Sequence, residues 1–86
     1  MNLISNLQQL LKNFPNAEMI ETKVFTANYN NVRNARTCEI KSAGITIALF
    51  IEDSEGNIQY VEIPRRDKIN KALTLDLRLL SLNFSY

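Results

Sequence analysis

The amino-terminal segment alternates apolar and polar residues with the period of an α-helix. Its apolar positions are Leu3, Leu7, Leu10, Leu11 and Phe14. Asn2 is a suitable N-cap residue, and Pro15 cannot continue a helix. The pattern therefore predicts an amphipathic helix over residues 3–14, with its apolar side packed on a sheet.

Beyond Pro15 the composition changes to that of strands and turns. Residues 18–27 are rich in β-branched and aromatic side chains and predict a first strand. Residues 28–34 contain four asparagines, which predicts a loop. The chain then returns as a second strand through residues 36–40 to a turn at residues 42–44.

The middle of the chain carries the clearest strand signal. Residues 45–51 have apolar side chains on both faces, a profile typical of a central strand. Residues 53–57 have the composition of a hairpin turn in which Gly56 supplies a positive φ. Residues 58–63 predict the partner strand, which Pro64 ends.

The carboxyl-terminal leucines are compatible with two structures. Leu73, Leu75, Leu77 and Leu79 alternate with polar residues, and the phase then moves to Leu80, Leu82, Phe84 and Tyr86. A strand with a β-bulge explains both the alternation and the shift. A helix over residues 66–82 is the alternative, but it would carry leucines on two opposite sides. We predict the strand, preceded by one helical turn within residues 65–70.

Taken together, these elements predict an α+β fold with an N-terminal amphipathic helix packed on an antiparallel sheet of four or five strands. The 86 residues are 45% hydrophobic and 22% charged, which is typical of one globular domain. We therefore expect residues 1–86 to form a single α+β domain. The longest apolar run has nine residues and no basic segment precedes an apolar one, so we expect neither a membrane span nor a secretory signal.

The residues that most enzymes use are scarce. The chain has no histidine and one cysteine, Cys38, so the usual activated nucleophiles and zinc sites are missing. Glu52, Asp53 and Glu55 do not have the spacing of a calcium loop and predict a solvated turn. We therefore expect a non-enzymatic protein without cofactor or metal, located in the cytoplasm, with Cys38 buried and inert.

Nucleic-acid binding is one possible function. The basic candidates for that surface are Arg33, Arg36, Lys41, Arg65, Arg66 and Lys68, with Tyr29 and Tyr60 available for stacking on bases. The net charge is only +1, and four acidic residues directly precede the second basic group. Proteins that bind nucleic acid usually carry a clear basic excess, so this is the alternative and not the main hypothesis.

A surface that binds another protein explains more of the pattern. The asparagine loop combines amides with an aromatic and an arginine anchor, and the predicted terminal strand carries more apolar residues than one helix covers. The candidate partner-binding residues are Tyr29, Asn30, Asn31, Arg33, Arg65, Arg66, Phe84 and Tyr86. We expect an inhibitor, adaptor or assembly component, a class common among phage and mobile-element accessory proteins such as inhibitors of host defence. A homodimer through the C-terminal strand is a further expectation.

Overall fold

The computed structural model describes the backbone of residues 2–29 and 32–84, and the side chains of residues 2–21 and 35–84. Along the chain one helix precedes four consecutive strands and a second helix follows them. The elements are α1 (Leu3–Leu11), β1 (Ala17–Tyr29), β2 (Val32–Ser42), β3 (Ile45–Glu52), β4 (Ile58–Glu62) and α2 (Lys71–Ser81). The strands form one antiparallel sheet in the order β1-β2-β3-β4. The predicted α+β class is confirmed.

Helix α1 follows its predicted pattern and ends three residues early. The Asn2 side chain accepts a hydrogen bond from the Ser5 backbone N–H at 3.2 Å, as an N-cap does. After Leu11 the chain continues as a turn, in which the Phe14 N–H donates to the Leu11 carbonyl at 3.0 Å. The early end places Phe14 against the core as part of the turn and not of the helix.

Two tight turns set the register of the central strands. Ala43 and Gly44 have φ values of 51° and 80°, and a two-residue hairpin turn with two positive φ angles matches the twist of its strands. In the second turn the Asp53 carboxylate accepts from the backbone N–H groups of Glu55 and Asn57, both at 2.9 Å. Gly56 there has a φ of 87°. Both predicted hairpins are confirmed.

The asparagine-rich segment differs from the prediction. Strand β1 extends to Tyr29 and β2 begins at Val32, and these two residues are register partners. The ladder is irregular between Thr22 and Ala27 and again between Ala27 and Tyr29, and the second irregularity includes Asn28. Bulges of this kind let a strand continue through residues of low strand propensity, so asparagine content was a poor guide to where pairing stops.

The main cluster of buried side chains lies between one face of the sheet and both helices. Cys38 pairs with Phe50 and Ile40 with Ala48, so these four side chains share one face of β2 and β3. Leu7 of α1 packs into the same cluster. Its buried members from α2 are Leu73 and Leu77.

The C-terminal segment is the main correction, because the predicted strand is helix α2. Leu73, Leu77 and Leu80 recur at helical spacing, and Leu75, Leu79 and Leu82 repeat the same spacing two residues later. Two helical stripes offset by two residues produce the alternation that resembles a strand. The segment also has few β-branched residues and a good N-cap, Asn70, whose side chain accepts from the Leu73 N–H at 3.3 Å. The helical turn expected within residues 65–70 is a series of hydrogen-bonded turns.

Among the residues that the structure describes, no helix has the length and apolar character needed to cross a membrane.

Candidate functional site

Helix α2 has two apolar sides, and only one of them is covered. Its inner side places Leu73 and Leu77 in the core with no exposed surface. On the opposite side the exposed fractions are 53% for Leu75, 65% for Leu79 and 69% for Leu82. We call these three residues the outer stripe. They lie within two helical turns, a length of about 10 Å.

Hydrogen bonds attach the start of the helix that carries the outer stripe to the rest of the fold. Thr74 is buried and its hydroxyl donates to the carbonyl oxygens of Asp67 and Asn70, at 3.1 and 2.9 Å. The Asn70 amide in turn donates to the Ser42 hydroxyl at 3.4 Å, which ties the start of α2 to the end of β2. The helix that presents the stripe is therefore held against the sheet at its start by these hydrogen bonds.

Arg78 fastens the flank of α2 to the sheet. Its Nε and Nη2 atoms donate to the two carboxylate oxygens of Glu62 on β4, at 2.6 and 2.9 Å, and Nη2 also reaches Asp67 at 3.2 Å. The hydrogen bonds from Arg78 lower the pKa of Glu62, and Glu62 raises the pKa of Arg78. Tyr60 donates to the same carboxylate at 2.9 Å. This set of residues is a structural clamp whose charges compensate one another.

The residues beside the outer stripe carry opposite charges on opposite flanks. Lys71, at the start of α2, is exposed on the same flank as Arg78. Asp76 lies on the other flank and is partly buried. An apolar stripe bordered by charge is the usual anatomy of a helix face that binds protein.

The predicted basic surface is divided in two. Arg36 forms an ion pair with Glu52 at one end of the β2–β3 pair. Lys41 pairs in register with Thr46 at the other end, where the Arg66 guanidinium donates to the Thr46 carbonyl at 3.1 Å. Thr46 and Glu52, which mark the two ends, are six positions apart on β3, which is about 20 Å. Arg65 and Lys68 are exposed near the second end.

The remaining predicted site residues fall into two groups. The side chains of Tyr29 and Arg33, together with Asn30 and Asn31, lie outside the described part of the chain, as does Tyr86. Phe84 is partly buried and packs against the core. The strand-edge route to a homodimer is wrong, because the segment that was to supply the edge is α2.

Cys38 has the surroundings of an inert thiol. It is 3% exposed, and burial, together with the nearby Glu21 carboxylate, raises its pKa to about 12. A thiol with this pKa is protonated at neutral pH and is a poor nucleophile.

The acidic turn is also structural. Asp53 caps its own hairpin, and hydrogen bonds from Asn57 lower the pKa of its carboxyl. Among the described residues no group of three or more acidic or cysteine side chains is arranged to hold a metal ion.

An open cleft of about 480 Å³ lies between the start of α1 and the β3–β4 turn. Ile4, Ile58 and Phe84 supply apolar walls, and the ion pair of Arg36 with Glu52 supplies the polar part. These charged groups therefore already satisfy each other.

Sequence reasoning did not identify the large apolar side chains that are most exposed among the described residues. The outer stripe was visible as the second set of leucines on the helical wheel of residues 66–82, but it served as an argument against a helix. The structure shows a helix with one apolar face in the core and a second apolar face exposed.

Searches of protein-family models, of curated proteins and of solved structures find no match to this chain.

Proposed function

We propose that this chain is a non-enzymatic protein that binds another protein through the outer stripe of α2, as an inhibitor, adaptor or assembly component. The observation that carries the proposal is the exposure of Leu75, Leu79 and Leu82 on one face of an anchored helix. Isolated exposed leucines are common on protein surfaces, whereas three at helical spacing form one continuous apolar strip.

Helical recognition accounts for the spacing of the strip. Helices that dock on a partner through one face present anchors at i, i+3, i+4 and i+7, and the outer stripe occupies i, i+4 and i+7. Covering three leucines provides the apolar burial that drives association, and the charges beside the stripe fix the orientation of the partner.

The test is capture of a partner by the tagged chain from nuclease-treated native extract, followed by calorimetric titration of the purified partner. Leu75→Asp and Leu79→Asp should each weaken binding at least about 10-fold, because a charge in an apolar contact is left without a partner. Gln8→Asp on the exposed side of α1 is the matched control and should leave the affinity unchanged. Equal affinity for all three variants would remove the outer stripe as the binding surface.

A second function is favoured by one specific observation. The structure gathers Lys41, Arg65, Arg66 and Lys68 at one end of the sheet, where Lys71 begins α2. This is a small basic surface of the kind that contacts phosphates. Nucleic-acid binding through it predicts an affinity that falls steeply with salt and weakens on charge reversal of Arg65 and Lys68.

A further inference from the structure

The outer stripe belongs to a longer apolar repeat, and its spacing is that of two helices paired side by side. Ala72 is exposed one turn before Leu75, so the exposed apolar residues of α2 are spaced by three, four and three positions. This is the a-d-a-d order of a heptad, with Ala72 and Leu79 at a and Leu75 and Leu82 at d. A spacing that averages 3.5 residues fits a second helix lying alongside α2.

The charges beside this seam distinguish the two directions in which a second α2 can lie. In the same heptad Lys71 and Arg78 occupy g positions, and Asp76 occupies an e position. Parallel helices bring each g residue opposite the e residue five positions later in the partner. Lys71 of one copy then faces Asp76 of the other, and the two-fold symmetry makes this contact twice.

The antiparallel direction lacks this complementarity. It places g beside g and e beside e. The basic flank of one copy, Lys71 and Arg78, then faces the basic flank of the other, and Asp76 faces Asp76. Like charges at such distances are unfavourable. Glu62 and Asp67 already neutralise Arg78, which leaves Lys71 and Asp76 as the pair that decides direction.

We propose that a second copy of this chain occupies the outer stripe, with the two α2 helices parallel about a two-fold axis. The inference rests on the proposed function and names its partner, which makes the chain an assembly component. Charge complementarity supports the proposal. One flank of the stripe is basic at Lys71 and the other is acidic at Asp76, and parallel pairing brings the basic flank of each copy against the acidic flank of the other.

The size of the seam sets the strength of the dimer. A standard protein interface buries about 800 Å² on each side, and a seam of four residues on a three-turn helix covers much less. Since α2 is already folded against the sheet, pairing does not have to supply the free energy of forming the helix. We expect a dissociation constant on the order of 10–100 µM.

Charge reversal tests the proposal by sedimentation equilibrium of the full chain. Lys71→Glu and Asp76→Lys should each weaken the dimer about 3- to 10-fold, because each creates two like-charge contacts, and the double variant should restore it. Lys71→Glu also places an acid in the first turn of α2, where it stabilises the helix, so a loss of dimer cannot be assigned to a lost helix. In an antiparallel dimer Asp76→Lys would replace one like-charge contact with another and Lys71→Glu would place an acid beside the basic flank, so neither variant would weaken it, and that result would overturn the proposal.

A cysteine at the end of the seam gives an independent readout. Leu82→Cys brings two thiols together across a parallel two-fold axis and should yield a covalent dimer on mild oxidation. Gln8→Cys on the outer side of α1 is the matched control and should remain monomeric, since native Cys38 is buried. Equal cross-linking of both variants, or none of Leu82→Cys, would contradict parallel pairing.

The two proposals fail in different ways. A chain that stays monomeric up to about 1 mM, well above the expected dissociation constant, excludes the second copy as occupant. If Leu79→Asp still abolishes capture of a different protein, the stripe remains a binding surface. If the variant changes neither self-association nor capture, both proposals are wrong.

Discussion

The two helices contribute buried leucines to the same core cluster and present different surfaces to solvent. Leu7 of α1 and Leu77 of α2 have no exposed surface and belong to one core cluster. Facing outward, α1 exposes glutamines such as Gln8, whereas α2 exposes leucines such as Leu79. An outer face contributes little to folding, so its composition is free to differ between the two helices. In the function proposed above, α1 serves the fold alone and α2 serves both the fold and a partner.

The largest effects should come from the inner faces, where the two helices are alike. Leu7→Ala and Leu77→Ala each remove a fully buried side chain and should lower the free energy of unfolding by about 2–5 kcal/mol. Urea unfolding followed by circular dichroism measures both. A loss below about 1 kcal/mol at either position would show that its helix packs more loosely than its burial indicates.

Replacing the N-cap residues should lower the free energy of unfolding by less, and by different amounts in the two helices. Asn2→Ala and Asn70→Ala each remove a cap worth about 1 kcal/mol. Asn70 also donates to Ser42, so its replacement should cost more than that of Asn2 in the same urea titration. Asn70→Asp, which retains the capping oxygen and loses the amide donor, should fall between wild type and Asn70→Ala. Equal losses for the two alanine variants would mean that the contact with Ser42 contributes nothing.

The elements that could be predicted from sequence are those whose pattern has a single physical cause. Residues 3–14 have one apolar stripe and a cap, and residues 53–57 have turn residues that fit one hairpin, so both were assigned correctly. In α2 two stripes overlap in the sequence, and their sum imitates the period of a strand. Helix propensity and the Asn70 cap would have indicated the helix, but leucines on two opposite sides of a helical wheel counted against it.

The location of the candidate site could not be predicted. The asparagine loop and the terminal apolar residues argued for a surface that binds a protein, and the lack of histidine argued against histidine-dependent or zinc chemistry. The location depended on which leucines the fold leaves exposed, and that follows from how α2 is rotated against the sheet. Cys38 shows the opposite case, since a thiol in a predicted strand with no neighbouring histidine was correctly expected to be buried.

The Arg78 clamp on α2 gives a pH dependence. Because Arg78 lowers the pKa of Glu62 below its ordinary value of 4.5, the unfolded chain takes up a proton there at higher pH than the folded chain does. The clamp therefore stabilises the fold above about pH 4.5 and loses this contribution as the pH falls through the folded-state pKa. Glu62→Gln should reduce the loss of thermal stability between pH 7 and pH 3.

Asp53 supplies the control for this titration. Its pKa is also lowered, by hydrogen bonds within the β3–β4 turn, so Asp53→Asn should remove a separate part of the acid sensitivity. The effects of Glu62→Gln and Asp53→Asn should add, because the two groups share no hydrogen-bond partner. An unchanged acid sensitivity in Glu62→Gln would mean that the contact with Arg78 is too exposed to contribute.

The smallest effect on stability should come from the outer faces, where the helices differ most. Leu79→Gln on α2 and Gln8→Leu on α1 exchange the two kinds of surface and should each change the free energy of unfolding by less than about 0.5 kcal/mol. Their effects on association should differ. Leu79→Gln should weaken partner binding and Gln8→Leu should not, because only the first alters the outer stripe. If Leu79→Gln lowered the free energy of unfolding by more than about 1 kcal/mol, Leu79 would be part of the core. That result would contradict the difference between the outer faces of the two helices.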